Sequence, residues 1–210
     1  MIEMTTDAFR TRCDEAGIHT VEVAIGDTYG HLRGKRVPVD RYFAEVAESG
    51  ASIADAVFIL NVCDELIDHE IVNMDNGFLD TQIVPDPASA RLLTHRPGYA
   101  LVFCDSFDEH GAPHVLAPRA VLAAQVERCR ALGLDPLVAT EPEFYMCTIA
   151  DDGTWVPVRP HIKYSSLTDA PDLEQVLAAM RSGLAGAGLA VESSNQEYGH
   201  SPVSYTHLRA

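Results

Sequence analysis

Along the chain the apolar positions change period several times, and each change marks an element. Residues 4–17 carry a helical pattern that stops at Gly17. His19 to Ile25 alternates and is rich in β-branched residues, which predicts a strand. Gly26-Asp27-Thr28-Tyr29-Gly30 has turn composition, and Leu32-Arg33-Gly34-Lys35-Arg36-Val37-Pro38 leaves it as a second, basic strand. Asp40 is placed to cap a helix that runs to Glu48 and is stopped by Gly50. Residues 54–62 and 99–105 are apolar enough for buried strands, and the segment between them reads as loop, with Pro85-Asp86-Pro87 and Arg96-Pro97-Gly98. The first hundred residues therefore predict a small α+β domain with little helix.

After Pro113 the texture changes. Pro118 can open a helix from Arg119 to Leu132, with Val121, Leu122, Val126, Cys129 and Leu132 on one stripe, and Gly133 ends it. Leu137 to Cys147 reads as a strand. Pro171 opens another helix with Leu173, Val176, Leu177, Met180 and Leu184 on one face. Leu189-Ala190-Val191-Glu192 then starts the next strand. Helix and strand in alternation predict a second, α/β-type domain from about residue 106.

Composition narrows the setting. No apolar run approaches the ~20 residues that cross a bilayer, and the N-terminus lacks the basic and apolar segments of a secretory signal. A cytoplasmic protein is expected. The 31 acidic side chains against 15 basic ones give a formal charge of -16, a field that repels nucleic acid and anionic lipid, so neither is expected as a partner. Cys13, Cys63, Cys104, Cys129 and Cys147 are scattered with no CxxC pair, which predicts reduced thiols acting as small buried hydrophobes.

The chemistry concentrates in two segments. In Thr140-Glu141-Pro142-Glu143-Phe144-Tyr145, residues two apart in a strand share a face, so Glu141 and Glu143 stand side by side at about 7 Å. Two carboxylates on one face of an apolar strand must both stay hydrated, or one must protonate, or cations must sit between them. Hard oxygen ligands suit Mg²⁺ or Mn²⁺; an edge strand with a solvated acidic face is the alternative, and Pro142 fits an edge or a bulge. In Val191-Glu192-Ser193-Ser194-Asn195-Gln196-Glu197-Tyr198-Gly199, the two glutamates are five apart, so a regular strand points them to opposite faces.

Pro118-Arg119-Ala120-Val121-Leu122, the Glu-x-Glu-Phe-aromatic run at 141–145 and Gly188 to Gly199 resemble, in order and spacing, the glutamine synthetase family. Gly30-His31-Leu32-Arg33-Gly34-Lys35-Arg36-Val37-Pro38 and Pro85-Asp86-Pro87 are similar to segments of that family's leading β-grasp domain. The resemblance covers about residues 15 to 199. It implies an N-terminal β-grasp-like domain over residues 1–105, followed by the first part of a glutamine synthetase-type catalytic α/β domain over 106–199. Glu143 and Glu197 match ligands of the cation beside the glutamate site, Glu141 a ligand of the cation that bridges the ATP phosphates, and Glu192 a nucleotide-contacting glutamate. The reaction implied is phosphoryl transfer from ATP to the γ-carboxylate of glutamate, then attack by ammonia or a small amine, with Mg²⁺ or Mn²⁺ neutralising charge between two anions. The family's full-length members imply a homo-oligomeric ring.

This chain departs from the family in three places. Asn61, with Asp64 nearby, stands closest to the aspartate that helps to deprotonate ammonium, and an asparagine cannot act as that base. The Asp-Gly-Ser-Ser run of the standard nitrogen-assimilating enzymes is missing, which points towards a γ-glutamyl-amine ligase. Beyond Gly199 the family continues Pro-Gly-Gln-x-Glu, whereas here Ser204 stands where that glutamate falls. Residues 200–210 are therefore expected to be a non-native tail, exposed and poor in contacts, on a ligase fragment that is inactive as it stands. The competing expectation is a non-enzymatic β-grasp module that binds a protein partner, with its carboxylates solvated rather than gathered. A glycosidase built on paired carboxylates is disfavoured by a single tryptophan and 7% aromatic residues.

Overall fold

The computed structural model describes residues 4–159, 163–169, 171–198 and 202–208. The chain divides into two compact units, Met1–Asp135 and Pro136–Ala210. This division follows the helix Pro118–Ala131 rather than preceding it.

The first unit is a mixed α/β layer built on a six-stranded sheet. Strands β1 (Thr20–Gly26) and β6 (Tyr99–Phe107) pair in parallel at its centre, and β2 (Leu32–Pro38) forms one edge. On the other side lie β4 (Asp80–Pro85) and β3 (Ala51–Ala54), while the short β5 (Arg91–Leu92) pairs with β6. Alternation in β6 is clean: Ala100, Val102, Cys104 and Ser106 point inward, and their neighbours are half-exposed. Phe9 and Cys13 of the helix Thr6–Glu15 close the core against Val21, Val23, Val102 and Tyr42, with the Phe9 and Tyr42 rings edge to face at 5.9 Å. Thr5 caps that helix through its Oγ1, which accepts from the Ala8 amide at 3.2 Å.

Two glycines are dictated by contact. A Cβ on Gly34 would lie 2.0 Å from the Val23 carbonyl oxygen across the β1–β2 pair. Gly50 ends the second helix at a φ of 73°, with the Ile83 carbonyl 2.5 Å from where a Cβ would be.

Several expectations need correction. The second helix begins at Val39, and Asp40 lies inside its first turn instead of capping it. Residues 54–62 are not a strand: after β3 the chain makes a 3-10 turn over Asp55–Phe58, and Asp55, Phe58 and Ile59 are buried at a spacing closer to three than to two. The supposed loop that follows contains β4, whose inward residues Thr81, Ile83 and Pro85 gave a weak apolar signal. The stripe of the helix Pro118–Ala131 is largely open, with Val121, Leu122 and Leu132 exposed. That helix is anchored by its first turn instead. Ala117 and Ala120 reach the core, and Arg119 pairs with both Asp105 and Asp86. Of the cysteines, Cys13 and Cys104 are buried, and burial pushes their thiols up to about 11 and about 12, whereas Cys63 is exposed.

In the second unit β7 (Ala139–Thr140) and β8 (Glu143–Tyr145) run along one side of β12 (Pro202–Leu208), with β11 (Val191–Gln196) along the other. A hairpin of β9 (Cys147–Ile149) and β10 (Trp155–Pro157) stands apart. The helix Pro171–Gly186 buries Leu173 and Leu177 against Met146, Val158, Phe144 and Val191. The tail expected to be exposed and poor in contacts instead supplies the middle strand of this sheet, and its Ser204 is fully buried. Within this sheet β12 is the strand on which both β8 and β11 pair, so its backbone amides and carbonyls find partners on each side. Among the described residues no helix is long and apolar enough to cross a membrane.

Candidate metal centre

The residue before β8 is Pro142, which has no N–H to give to a ladder. The pairings Thr140↔His207 and Glu143↔Ser204 lie on one continuous register, so β7 and β8 are a single line of chain interrupted at Glu141-Pro142. The interruption preserves the two-residue period, and Glu141 and Glu143 end up side by side. Across β12 the strand β11 pairs Asn195 with the same Ser204, and Glu197 follows directly after that strand ends. Each of Glu141, Glu143 and Glu197 offers a carboxylate oxygen, and these three oxygens lie within 4.8 Å of one another. Glu141 and Glu143 are exposed; Glu197 is half-buried.

The hydrogen-bond donors to Glu197 are neutral. Its Oε1 accepts from Asn195 Nδ2 at 2.7 Å and from Ser204 Oγ at 2.9 Å. Among the described residues none of the three glutamates forms an ion pair; Arg159 pairs with Asp172, and Arg181 with Glu174 and Ser194. Among the described residues no basic side chain pairs with the three carboxylates, and an all-oxygen donor set suits Mg²⁺ or Mn²⁺.

Glu192 is not part of this cluster. The register shifts between Val191 and Ser193, so the strand does bulge at Glu192, yet its side chain is exposed. In the first unit, Asn61 is absorbed in its own turn: its Oδ1 accepts from the Cys63 and Glu65 amides, and its Nδ2 donates to Glu65. Asp64 instead accepts from Arg33 Nη2 at 2.5 Å. Sequence reasoning passed over Asn195. The available signal was its position two residues before Glu197, on the same side of the chain.

Residues 115–204 match the glutamine synthetase catalytic domain. Over this stretch the chain is glutamine synthetase-like. The match ends at Ser204, five residues beyond Gly199. Two relatives are similar over most of the chain. A glutamate–isopropylamine ligase of a Pseudomonas species is 29% identical over 89% of this chain and 42% of its own length. A γ-glutamylethanolamide synthetase of Streptomyces coelicolor is 30% identical over 86% of this chain and 41% of its own length. A solved structure described as a novel glutamine synthase homolog superposes with a TM-score of 0.74 at 25% identity, over 92% of this chain and 44% of that one. The chain thus spans about two fifths of the length of the relatives it matches.

Proposed function

We propose that this chain carries the Glu-x-Glu side of the metal centre of an ATP-dependent ligase that joins an amine to the γ-carboxyl of glutamate. The observation that carries the reading is the meeting of Glu141, Glu143 and Glu197 within 4.8 Å across a shared strand. Glu141, Glu143 and Glu197 would hold Mg²⁺ or Mn²⁺, which supplies charge neutralisation between ATP and glutamate. Glu192 would contact the nucleotide; its exposure leaves it open to one. The first unit would be the β-grasp-like domain of such an enzyme. An amine larger than ammonia is favoured as acceptor, because the similar proteins are named for isopropylamine and ethanolamide products and Asn61 cannot serve as a base. A module that only binds a partner protein gives no reason for the carboxylates to converge.

The chemistry that falls to these residues is positional. Each carboxylate supplies an oxygen and a negative charge at a fixed point, so that a divalent cation is held where two anionic substrates would otherwise repel. Ser204, at the register position between Glu143 and Asn195, offers a hydroxyl where the family has a charged ligand. As it stands, the chain should therefore show no glutamate-dependent release of ADP with an amine and Mn²⁺ above that of a Glu143→Gln control. It should still bind Mn²⁺ in a calorimetric titration, and Glu143→Gln should abolish that binding. Equal Mn²⁺ binding by wild type and Glu143→Gln would refute the metal centre, and turnover above the control would refute the inactivity.

A further inference from the structure

We propose that Asn195 is a positioning residue for Glu197, holding one oxygen of its carboxylate so that the group faces Glu141 and Glu143. The inference rests on the metal-centre reading and concerns how this chain prepares that centre.

The three carboxylates are not equally constrained. Glu141 and Glu143 are exposed. Glu197 is half-buried and fixed at one oxygen. Asn195 Nδ2 reaches its Oε1 at 2.7 Å, at the short end of the range for N–H···O bonds, as expected when the acceptor is charged. The hydroxyl of Ser204 has one proton to place between two acceptors, Glu197 Oε1 at 2.9 Å and Asn195 Oδ1 at 3.1 Å. Asn195 is thus fixed in turn by a fully buried residue, and its amide orientation follows. The donor faces the carboxylate and the acceptor faces the hydroxyl.

Chemical type matters as much as distance. A lysine or arginine in this place would neutralise Glu197 and compete with a cation. An amide donates a hydrogen bond without bringing positive charge, so it orients the ligand and leaves the field of the cluster intact. Partners that hold a metal ligand from behind in this way are commonly worth about 10- to 100-fold in affinity.

The test is a Mn²⁺ titration of the full 210-residue chain by electron paramagnetic resonance, paired with thermal unfolding with and without Mn²⁺. Asn195→Leu is close to isosteric and lacks the donor; Asn195→Gln keeps an amide; Asn195→Ser is too short to reach and serves if the leucine variant does not fold. The expected result is Mn²⁺ affinity roughly tenfold lower for the leucine or serine variant, with metal-free melting unchanged and most of the affinity retained by Asn195→Gln. Wild-type affinity in both donor-free variants would overturn the proposal. So would parallel losses of affinity and metal-free stability in all three variants, which would mark a merely structural residue. Failure of the wild type itself to bind Mn²⁺ is a distinct outcome that removes the metal centre and this inference together.

Discussion

The two compact units solve opposite problems. The first is built on a continuous core: sixteen buried side chains form one contiguous cluster, and its buried Asp27 is met by the Arg33 side chain and by the backbone N–H groups of Tyr29 and His31. Among its described residues the second buries two apolar side chains, Leu173 and Leu177, and leaves Trp155 69% exposed, Leu167 96% and Tyr198 88%. Yet the second unit holds the gathered carboxylates. A closed core needs complementary packing, whereas a site for charged ligands needs hydrated carboxylates held by a few directed bonds. In this chain the continuous core and the proposed metal centre lie in different stretches of sequence.

The sharpest way to break that contrast is to remove one aromatic ring from each unit. Tyr42 is 1% exposed and contacts Phe9 and Phe43, so Tyr42→Ala should cost about 3–5 kcal/mol in a denaturant titration. Tyr145 is 65% exposed, and Tyr145→Ala should stay within about 0.5 kcal/mol. Similar losses at both positions would mean that the second unit packs as tightly as the first.

The second test uses pH. Burial pushes the Asp27 carboxyl up, but the bonds from Arg33 and from the His31 and Tyr29 amides outweigh it and hold the group below the usual carboxylate range. A carboxyl lowered in the folded state adds stability above its unfolded pKa and loses it as pH falls through the folded value. Asp27→Asn should therefore cost about 1–3 kcal/mol at neutral pH, and less in acid, where the wild type has lost the same contribution. Unfolding midpoints from pH 7 to pH 2 check this; a penalty independent of pH would assign the effect to shape rather than charge.

A smaller effect sharpens the description of the second unit. Ser204→Glu adds a fourth oxygen donor beside Glu197 and Glu143. It should tighten Mn²⁺ binding about tenfold, or ~1.4 kcal/mol. Because Ser204 is fully buried, it should also lower metal-free stability. Unchanged Mn²⁺ affinity would place Ser204 outside the reach of the bound ion.

How much of this was legible in the sequence follows the range of the contacts involved. Helices with local signals were readable to within a residue or two, as in Thr6–Glu15 with Gly17 beyond it and Pro171–Gly186 with its proline start. So were β1 and β2, which are joined by a short turn. The strand β4 was missed because its inward Thr81 and Pro85 look like loop residues until β6 covers them. At the site, the pairing of Glu141 with Glu143 is an i, i+2 relation that any strand enforces, and it was visible. Glu197 arrives from across β12, a relation that periodicity does not carry; only the family resemblance pointed to it. The same departure from the family set residues 200–210 aside, whereas Pro202–Leu208 pair as a strand with β8 and β11.

The central claim is that three glutamates brought together across β12 hold a divalent cation. Diffraction from crystals of this chain soaked in Mn²⁺, recorded at the manganese absorption edge, tests it most directly. The account predicts one anomalous peak or an adjacent pair, with each ion at about 2.0 to 2.6 Å from its carboxylate oxygens and Glu141, Glu143 and Glu197 all engaged. A saturating soak with no peak at these residues, or with Glu197 turned away from the ion, would contradict it.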